Sequence, residues 1–204
     1  MTKILNQPKT KQELMKEIRD EIFFGKDLPL YEERIKNTVF PVIGEGSHDA
    51  RIMFIGEAPG KNEAKTGRPF CGTAGKILDE LLLSAGIKRE EVYITNIVKD
   101  RPPFNRDPLP EEIKAYAPFL MRQIEIIQPA IIATLGRYSM NYILEAFNLW
   151  EELAPISKLH GRTFKAVASY GNITLIPLYH PAAAVYNRTL LGTLKTDFAI
   201  LKTV

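Results

Sequence analysis

The sequence predicts an α/β protein, a three-layer α/β/α sandwich around a mostly parallel sheet of four to five strands. Two observations predict this fold. Short apolar runs rich in β-branched residues alternate along the chain with longer segments of helical periodicity. The apolar runs also lack polar alternation, which is typical of strands that are covered on both faces. Strands that alternate with helices are joined by right-handed crossovers, and these give a parallel sheet.

The elements follow one another in a simple order. In segment 9–23, Leu14, Ile18 and Ile22 lie four residues apart among charged residues, which predicts an amphipathic lead-in helix. Four strands are predicted at RIMFI (51–55), VYITNIV (92–98), AIIATL (130–135) and ITLIPLY (173–179), with TFKAVAS (163–169) as a candidate fifth. Further helices are predicted at 74–85, 110–127, 137–147 and 190–202. Asp107 is predicted to cap the second of these, starting at Pro108 or Pro110.

The composition is that of one globular domain covering residues 1–204. Apolar residues make up 45% and charged residues 25% of the chain, and no apolar run approaches the roughly 18 residues of a membrane span. The N-terminal segment lacks the apolar core of a secretory signal. We therefore expect a soluble, cytoplasmic protein that does not bind membranes. A net charge of +3 permits nucleic-acid binding without requiring it.

The cysteine and histidine content argues against a metal centre. The chain has one cysteine, Cys71, and three scattered histidines. One thiol can form neither an internal disulfide nor a multi-thiolate metal site, and the histidines lack metal-ligand spacing. No metal is expected.

The segment 56–75 follows the first predicted strand and reads GEAPGKNEAKTGRPFCGTAG. Its five glycines allow a close approach of the backbone to a ligand, and it leads into a helix whose first N–H groups are free. These features suit an anionic or flat ligand. The glycine spacing matches neither the dinucleotide-binding fingerprint nor the P-loop.

Polar and aromatic residues follow the predicted strands at the edge where ligands bind in open parallel sheets. His180 ends the last strand, Asn96 ends the second, and Phe70 lies in the glycine-rich segment. An amide can read the edge of a nucleobase, and an aromatic ring can stack on its face. The three residues together predict a base pocket.

Several motifs in collinear order make the chain similar to a known family. GEAPG with GRPFCGTAG, YITNIVKDRPPFNRDP, the LG after the third strand and HPAAA resemble the family 4 uracil-DNA glycosylases of the uracil-DNA glycosylase superfamily, from about Leu28 to the C-terminus. The resemblance implies a DNA-repair enzyme that hydrolyses the N-glycosidic bond of uracil in DNA and leaves an abasic site. No lysine is required as a Schiff-base nucleophile, so strand cleavage is not expected.

The resemblance also implies roles in the pocket. His180 would face O2 of uracil, where negative charge develops as the bond breaks. Glu57 would lie in the catalytic loop, where it either positions water or orders the loop. The other residues implied to bind the base are Gly56 and Ala58 in the loop, Glu63 on the C5 side where it excludes thymine, Phe70 stacked on the ring and Asn96 on the Watson–Crick edge.

Contacts with DNA are implied outside the pocket. Val185 and Tyr186, just after HPAAA, would fill the space that the extruded base leaves. A protein that meets DNA with one such surface needs no partner subunit, so we expect a monomer. The residues expected to hold phosphates are Lys99, Arg101, Arg106 and Arg162.

The chain departs from the family at the cofactor. Family 4 enzymes are similar to one another in four cysteines that hold a [4Fe–4S] cluster. Gly25, Leu28, Asp100 and Tyr116 occupy those positions here. None supplies a thiolate, so an iron–sulfur cluster is predicted to be absent. Leu28 and Tyr116 predict apolar packing in its place.

Further departures keep other functions open. The acidic pair of the family survives only as Glu63-Ala64, and Tyr186 replaces a common arginine. A catalytically weak or inactive DNA-binding member is one alternative, and a glycosylase for another deaminated base such as hypoxanthine is a second. A phosphate-binding hydrolase is a third, but the chain lacks a carboxylate cluster and a P-loop lysine for it.

Overall fold

The computed structural model describes residues 8–203, so residues 1–7 and Val204 of the predicted domain lie outside it. The helices in this range are α1 (Lys11–Phe24), α2 (Tyr31–Asn37), α3 (Lys61–Thr66), α4 (Thr73–Ser84), α5 (Pro110–Ile127), α6 (Arg137–Ala146), α7 (Ile156–Leu159), α8 (Ala182–Tyr186) and α9 (Leu190–Ala199). The strands are β1 (Glu45–Gly46), β2 (Ile52–Gly56), β3 (Tyr93–Asn96), β4 (Ile131–Leu135), β5 (Phe164–Ala168) and β6 (Gly171–Leu178).

The described strands form one six-stranded sheet in the order β1-β3-β2-β4-β6-β5. The four central strands are parallel, and β1 and β5 pair antiparallel at the two edges. The chain passes from β2 to β3 on one side and then crosses to the other side of β2 to form β4. The connections therefore diverge beyond the carboxyl end of β2, which is where open α/β sheets bind ligands.

Both faces of the sheet are covered, which confirms the predicted three layers. Along β2, Met53 and Ile55 join the core formed with α1, α5 and α6, whereas Ile52 and Phe54 join the core formed with α4 and α9. Every residue of β2 is buried, as its apolar sequence predicts.

The sheet has more strands than the four or five expected. TFKAVAS does form a strand, β5, but β1 contains only two residues and carries no periodic signal. The second predicted strand is also shorter than its apolar run, because Ile97 and Val98 leave the sheet beyond Asn96. Their N–H groups still donate to the carbonyls of Gly56 and Glu57.

The predicted cap of α5 is wrong. The helix begins at Pro110 after Leu109, and the Asp107 side chain instead accepts hydrogen bonds from Tyr138 and Arg137. Among residues 8–203, no helix has both the length and the apolar character needed to cross a lipid bilayer.

Candidate active site

A cavity of about 410 Å³ lies at the edge of the sheet where β2, β3 and β6 end. Its volume is in the range of small-ligand sites, about 300–1,000 Å³. It brings together six of the residues implied to form the site and adds others from the loop between β3 and α5. The lining residues are Glu57, Ala58, Pro59, Gly60, Glu63, Phe70, Ala74, Asn96, Pro102, Asn105, Arg106, Asp107, His180 and Ala182.

Gly56 forms the closely packed floor beside this cavity. It pairs with Asn96 in the register of β2 and β3. A Cβ atom at Gly56 would collide with Oδ1 of Asn96 and would lie 2.9 Å from Cζ of Phe70. Only glycine lets the Asn96 amide and the Phe70 ring approach the strand this closely.

Phe70 is held in a left-handed backbone conformation with a φ of +46°. A Cβ atom on Gly75, in the first turn of α4, would collide with the Phe70 carbonyl, so the loop packs tightly on the helix start. The Phe70 ring is buried, and its centroid lies 5.6 Å from that of His180 at an angle of 32°. The ring thus forms an apolar wall beside the imidazole.

His180 lines the cavity, and its hydrogen bonding defines which ring nitrogen carries the proton. The backbone N–H of Ala182 donates to Nδ1 across 3.1 Å, so Nδ1 is an acceptor and the proton of the neutral ring resides on Nε2. Burial lowers the pKa of His180 to about 4, and the charge of Glu63 opposes this only in part. His180 is therefore a neutral donor near physiological pH.

Glu57 follows β2 and is half-buried. Burial, together with the negative charge of Asp107, raises the pKa of Glu57 to about 7, while Arg137 acts in the opposite direction. A carboxyl with such a pKa exchanges protons readily at neutral pH, which suits a group that handles a water molecule.

The charges that face Glu57 belong to a small cluster that the motifs did not reveal. Asp107, from the loop before α5, accepts from the hydroxyl of Tyr138 and lies 3.3 Å from the Arg137 guanidinium. Arg137 also donates to the Tyr138 hydroxyl across 2.8 Å. The NRDP sequence is typical of a helix cap, so it gives no sign that Asp107 lines the cavity and raises the pKa of Glu57.

Glu63 lines the cavity and also orders the glycine-rich loop. Its Oε1 accepts from the backbone N–H groups of Cys71 and Gly72, at 3.1 and 3.0 Å. These are free donors just before α4, and an anion is favourable there. Cys71 is half-buried and lies 3.3 Å from the Thr66 hydroxyl, so it packs within the loop.

The expected phosphate contact of Lys99 is wrong. The Lys99 side chain is 0% exposed, and its Nζ donates to the Asn96 carbonyl, the Thr95 hydroxyl and the Gln123 amide oxygen at 2.6–2.7 Å. Burial lowers its pKa well below the usual range. Lys99 supports the strand end that carries Asn96 and does not reach the surface.

The other DNA-contact candidates lie in the loop after β3, in the turn before β5 and in α8. Arg106 lines it and pairs with Glu112, while Arg101 donates to the amide oxygen of Asn105. Arg162 is exposed in the turn before β5, next to Gly161, whose N–H donates to the carbonyl of Pro177 near the end of β6. The exposed wedge candidates, Val185 and Tyr186, lie in α8 just after the lining residue Ala182.

The residues at the four cluster positions do not fit an iron–sulfur cluster. The carboxylate of Asp100 accepts from both Arg34, at 2.8 and 3.1 Å, and the Tyr116 hydroxyl, at 2.6 Å. Its lone pairs are therefore used within the protein. Gly25 packs against Leu28, whose Cδ1 would lie 3.0 Å from a Cβ atom at Gly25. The expected apolar packing is incomplete, because the buried Tyr116 ring ends in a charged network.

Arg34 extends that network to a neighbouring helix. Its guanidinium also donates to the carbonyls of Ile22 and Phe23 at 3.0 Å. The ion pair thus joins α1, α2, the loop after β3 and α5. Within the described part of the chain, no group of three or more histidine, cysteine or acidic residues could hold a metal ion.

Comparisons with known proteins show the family of the chain. The family model for the uracil DNA glycosylase superfamily matches residues 43–201. The chain is 45% identical over 185 residues to a type-4 uracil-DNA glycosylase of Sulfurisphaera tokodaii, covering 90% of this chain and 81% of that protein. It is 47% identical over 187 residues to the type-4 enzyme of Saccharolobus solfataricus, covering 91% and 83%. The chain therefore belongs to the uracil DNA glycosylase superfamily.

Proposed function

We propose that this protein is a monofunctional uracil-DNA glycosylase, which hydrolyses the bond between uracil and deoxyribose in DNA and leaves an abasic site without strand cleavage. The observation that carries the proposal is the meeting of Phe70, Asn96 and the neutral donor His180 in one cavity. Similarity to the type-4 uracil-DNA glycosylases over most of the chain supports it.

The proposed bond cleavage places charge where His180 can meet it. When the C1′–N1 bond breaks, its electron pair moves to uracil and builds negative charge on O2, while C1′ gains oxocarbenium character. The Nε2–H of His180 donates to O2, and this bond strengthens as the charge grows. Because Nδ1 is held by the Ala182 amide, the donor needs no reorganisation during the reaction.

We assign the activation of the attacking water molecule to Glu57. In its carboxylate form, Glu57 accepts a proton from a water molecule whose oxygen bonds to C1′. The uracil anion leaves with the electron pair of the broken bond and takes a proton from solvent. A pKa of about 7 keeps a large share of Glu57 in the carboxylate form near neutral pH.

Base selection is assigned to the other walls of the cavity. Asn96 is 2% exposed at the end of β3, and its amide reads the Watson–Crick edge of uracil. Phe70 stacks on the ring. This contact stabilises the bound base by about 1–3 kcal/mol, which partly offsets the few kcal/mol needed to extrude it from the duplex. Glu63, fixed by two backbone N–H groups, lies toward C5 and excludes the methyl group of thymine.

DNA contacts are proposed on the surface around the cavity mouth. Arg101, Arg106 and Arg162 bind phosphates, and Val185 with Tyr186 fills the vacated stack. Tyr186 is 90% exposed, so its ring is available for this contact. We also propose that the enzyme acts as a cytoplasmic monomer that does not bind membranes, since all these groups come from one chain at one sheet edge.

The proposed enzyme works without an iron–sulfur cluster. The Arg34–Asp100–Tyr116 network supports this, because it already links the elements around the four cluster positions with no thiolate. Iron analysis and the visible spectrum of purified protein test it. A brown protein containing about four irons per chain would contradict this part of the proposal.

A single-turnover assay tests the activity. Labelled oligonucleotides carry uracil opposite guanine, uracil opposite adenine, uracil in a single strand, or hypoxanthine, and abasic sites are revealed by alkali. We expect breaks at uracil that weaken strongly in His180→Ala and Asn96→Ala but not in His48→Ala, a histidine that does not line the cavity. DNA binding without release of any base would contradict the proposal and favour the inactive, DNA-binding alternative. Release of hypoxanthine alone would favour the other deaminated base.

A further inference from the structure

Phe104 has the largest exposed fraction among the large apolar side chains of residues 8–203, at 97%. It lies on the loop between β3 and α5. Phe104 has no role in the proposed binding of uracil, because the ring that stacks on uracil is Phe70, which is buried inside the cavity. A phenyl ring this exposed beside a cavity offers a free face for stacking on a bound group.

The loop holds this ring outward through a defined backbone. Phe104 and Asn105 both have a φ of +57°, a left-handed conformation that is unfavourable for residues with a side chain. Hydrogen bonds fix it: the Asn105 N–H donates to the Pro102 carbonyl, the Arg106 N–H to the Pro103 carbonyl, and Arg101 to the Asn105 side chain at 2.6 Å. Exposure of the ring is therefore built into the loop.

Phe104 lies beside the cavity, so a ligand that enters the cavity can also contact its ring. Pro102, Asn105 and Arg106 all line the cavity. Consecutive Cα atoms are about 3.8 Å apart, so the backbone of Phe104 lies at the rim itself. The exposed Phe104 ring therefore lies beside the entrance of the cavity.

The charges around the ring favour a nucleic acid over an apolar partner. Arg101 and Arg106 flank Phe104 in the loop. Arg106 pairs with the Glu112 carboxylate, whereas Arg101 donates to a neutral amide oxygen of Asn105, which leaves the charge of Arg101 for a phosphate. An aromatic ring beside cationic groups is the arrangement by which proteins hold unpaired nucleotides.

We propose that Phe104 stacks on a nucleobase adjacent to the extruded uracil and so forms a second base-binding site at the rim of the cavity. The inference rests on the proposed function for the identity of the nucleic acid. Phe70 and Phe104 then hold two neighbouring bases, one inside the cavity and one outside. The contact adds affinity without sequence preference, because every base offers a flat face.

A cycle of paired changes in protein and DNA tests this contact. The protein variant is Phe104→Asn, because asparagine tolerates the left-handed conformation and so preserves the loop. The DNA change replaces the nucleotide on one or the other side of uracil by a spacer without a base. Half-saturating enzyme concentrations and maximal rates are measured in single turnover, on single strands and on duplexes.

We expect the Phe104→Asn variant to raise the half-saturating concentration by about 5- to 150-fold, which corresponds to the 1–3 kcal/mol of one stacked base. The maximal rate should stay within about twofold, since the loss is one of uniform binding. On DNA with the spacer on the contacted side, the wild-type protein should lose the same amount and the variant nothing more. The strand type that shows this coupling identifies whether the contacted base is unpaired or within a duplex.

Two controls separate this inference from general effects. Trp150→Ala removes another exposed aromatic ring that does not line the cavity, and it should change nothing. Phe104→Trp should retain wild-type affinity. Equal affinity of Phe104→Asn and wild type, or independent effects of variant and spacer, would overturn the inference. Uracil release by the wild-type protein tests the proposed function separately, since it does not depend on any Phe104 variant.

Discussion

The backbone N–H of Ala182 donates to Nδ1 of His180 across 3.1 Å, and this bond fixes the tautomer of the histidine. It arises locally, because the HPAAA sequence places α8 directly after the strand end that carries His180. The start of α8 thus makes the half-buried His180 a neutral donor, because the Ala182 N–H occupies its other ring nitrogen. Burial keeps it neutral by lowering its pKa to about 4.

Removing the imidazole should cost most of the rate. We expect His180→Ala to lower the single-turnover rate about 10²–10³-fold, as for the loss of one oxyanion donor. Because the pKa of His180 is about 4, its titration should add no limb to the wild-type pH–rate profile above pH 5. A limb near pH 6.5 that disappears in His180→Ala would contradict the neutral-donor assignment.

Glu57 should set the acid limb of that profile. As the carboxylate accepts the water proton, the rate should rise as pH increases through about 7, the pKa of Glu57. Asp107 helps to raise this pKa by charge repulsion, so Asp107→Asn should move the midpoint to lower pH. Glu57→Gln should be slow and should lack the limb. A midpoint that moves upward in Asp107→Asn would contradict the coupling between the two carboxyl groups.

The sequence predicted the elements with strong periodicity and the residues carried by motifs. Three layers, the parallel centre of the sheet and the meeting of Phe70, Asn96 and His180 all followed from apolar runs and the residues at strand ends. The predictions that were wrong depend on the direction of a side chain. Lys99 was assigned to the surface from its charge, yet it points into the core, because the chain leaving β3 turns its side chain toward Gln123. A lysine in the amino-acid sequence does not by itself show which way the backbone directs its side chain.

The loop after β3 shows the same limit. Asp107 and Phe104 lie in a Pro-rich stretch without periodicity, so neither the pocket role of the one nor the exposure of the other could be predicted. The outward direction of Phe104 goes with two consecutive left-handed residues, which the sequence signals only weakly through Asn105. The two-residue strand β1 was missed for a similar reason, since its pairing with β3 is a tertiary contact.

The buried position of Lys99 makes a prediction about salt dependence. Affinity for uncleavable DNA is measured over about 50–200 mM salt, where each phosphate contact contributes about 0.9 to the logarithmic slope. Lys99→Met should leave this slope unchanged, even if it weakens binding through Asn96, whereas Arg162→Ala should reduce it by about 0.9. An equal reduction of the slope in both variants would restore Lys99 as a phosphate ligand.

Gly56 should tolerate no side chain. In Gly56→Ala the new methyl group would meet Phe70 and Asn96 within van der Waals radii, so we expect the pocket to be displaced and the rate to fall at least about 10²-fold, as for a small misplacement of reacting groups. Gly192→Ala is the matched control. A Cβ atom there meets no atom within 4 Å, and alanine stabilises a helix by about 1 kcal/mol relative to glycine. Comparable rates of the two variants would show that Phe70 and Asn96 can shift to accommodate the methyl group, and would contradict this prediction.

The buried ion pair between Arg34 and Asp100 should be essential to stability. Asp100→Ala leaves the Arg34 guanidinium buried without its partner, which costs about 3–5 kcal/mol in the free energy of unfolding. Glu80→Ala, which breaks the exposed pair with Lys195, should cost less than about 1 kcal/mol. Urea unfolding measures both, with the slope of each transition checked for two-state behaviour. Replacing both charges, as Arg34→Met with Asp100→Leu, should cost less than Asp100→Ala alone, because no uncompensated charge remains. If the double variant is the less stable one, the hydrogen bonds from Arg34 to the end of α1 contribute more than the ion pair itself.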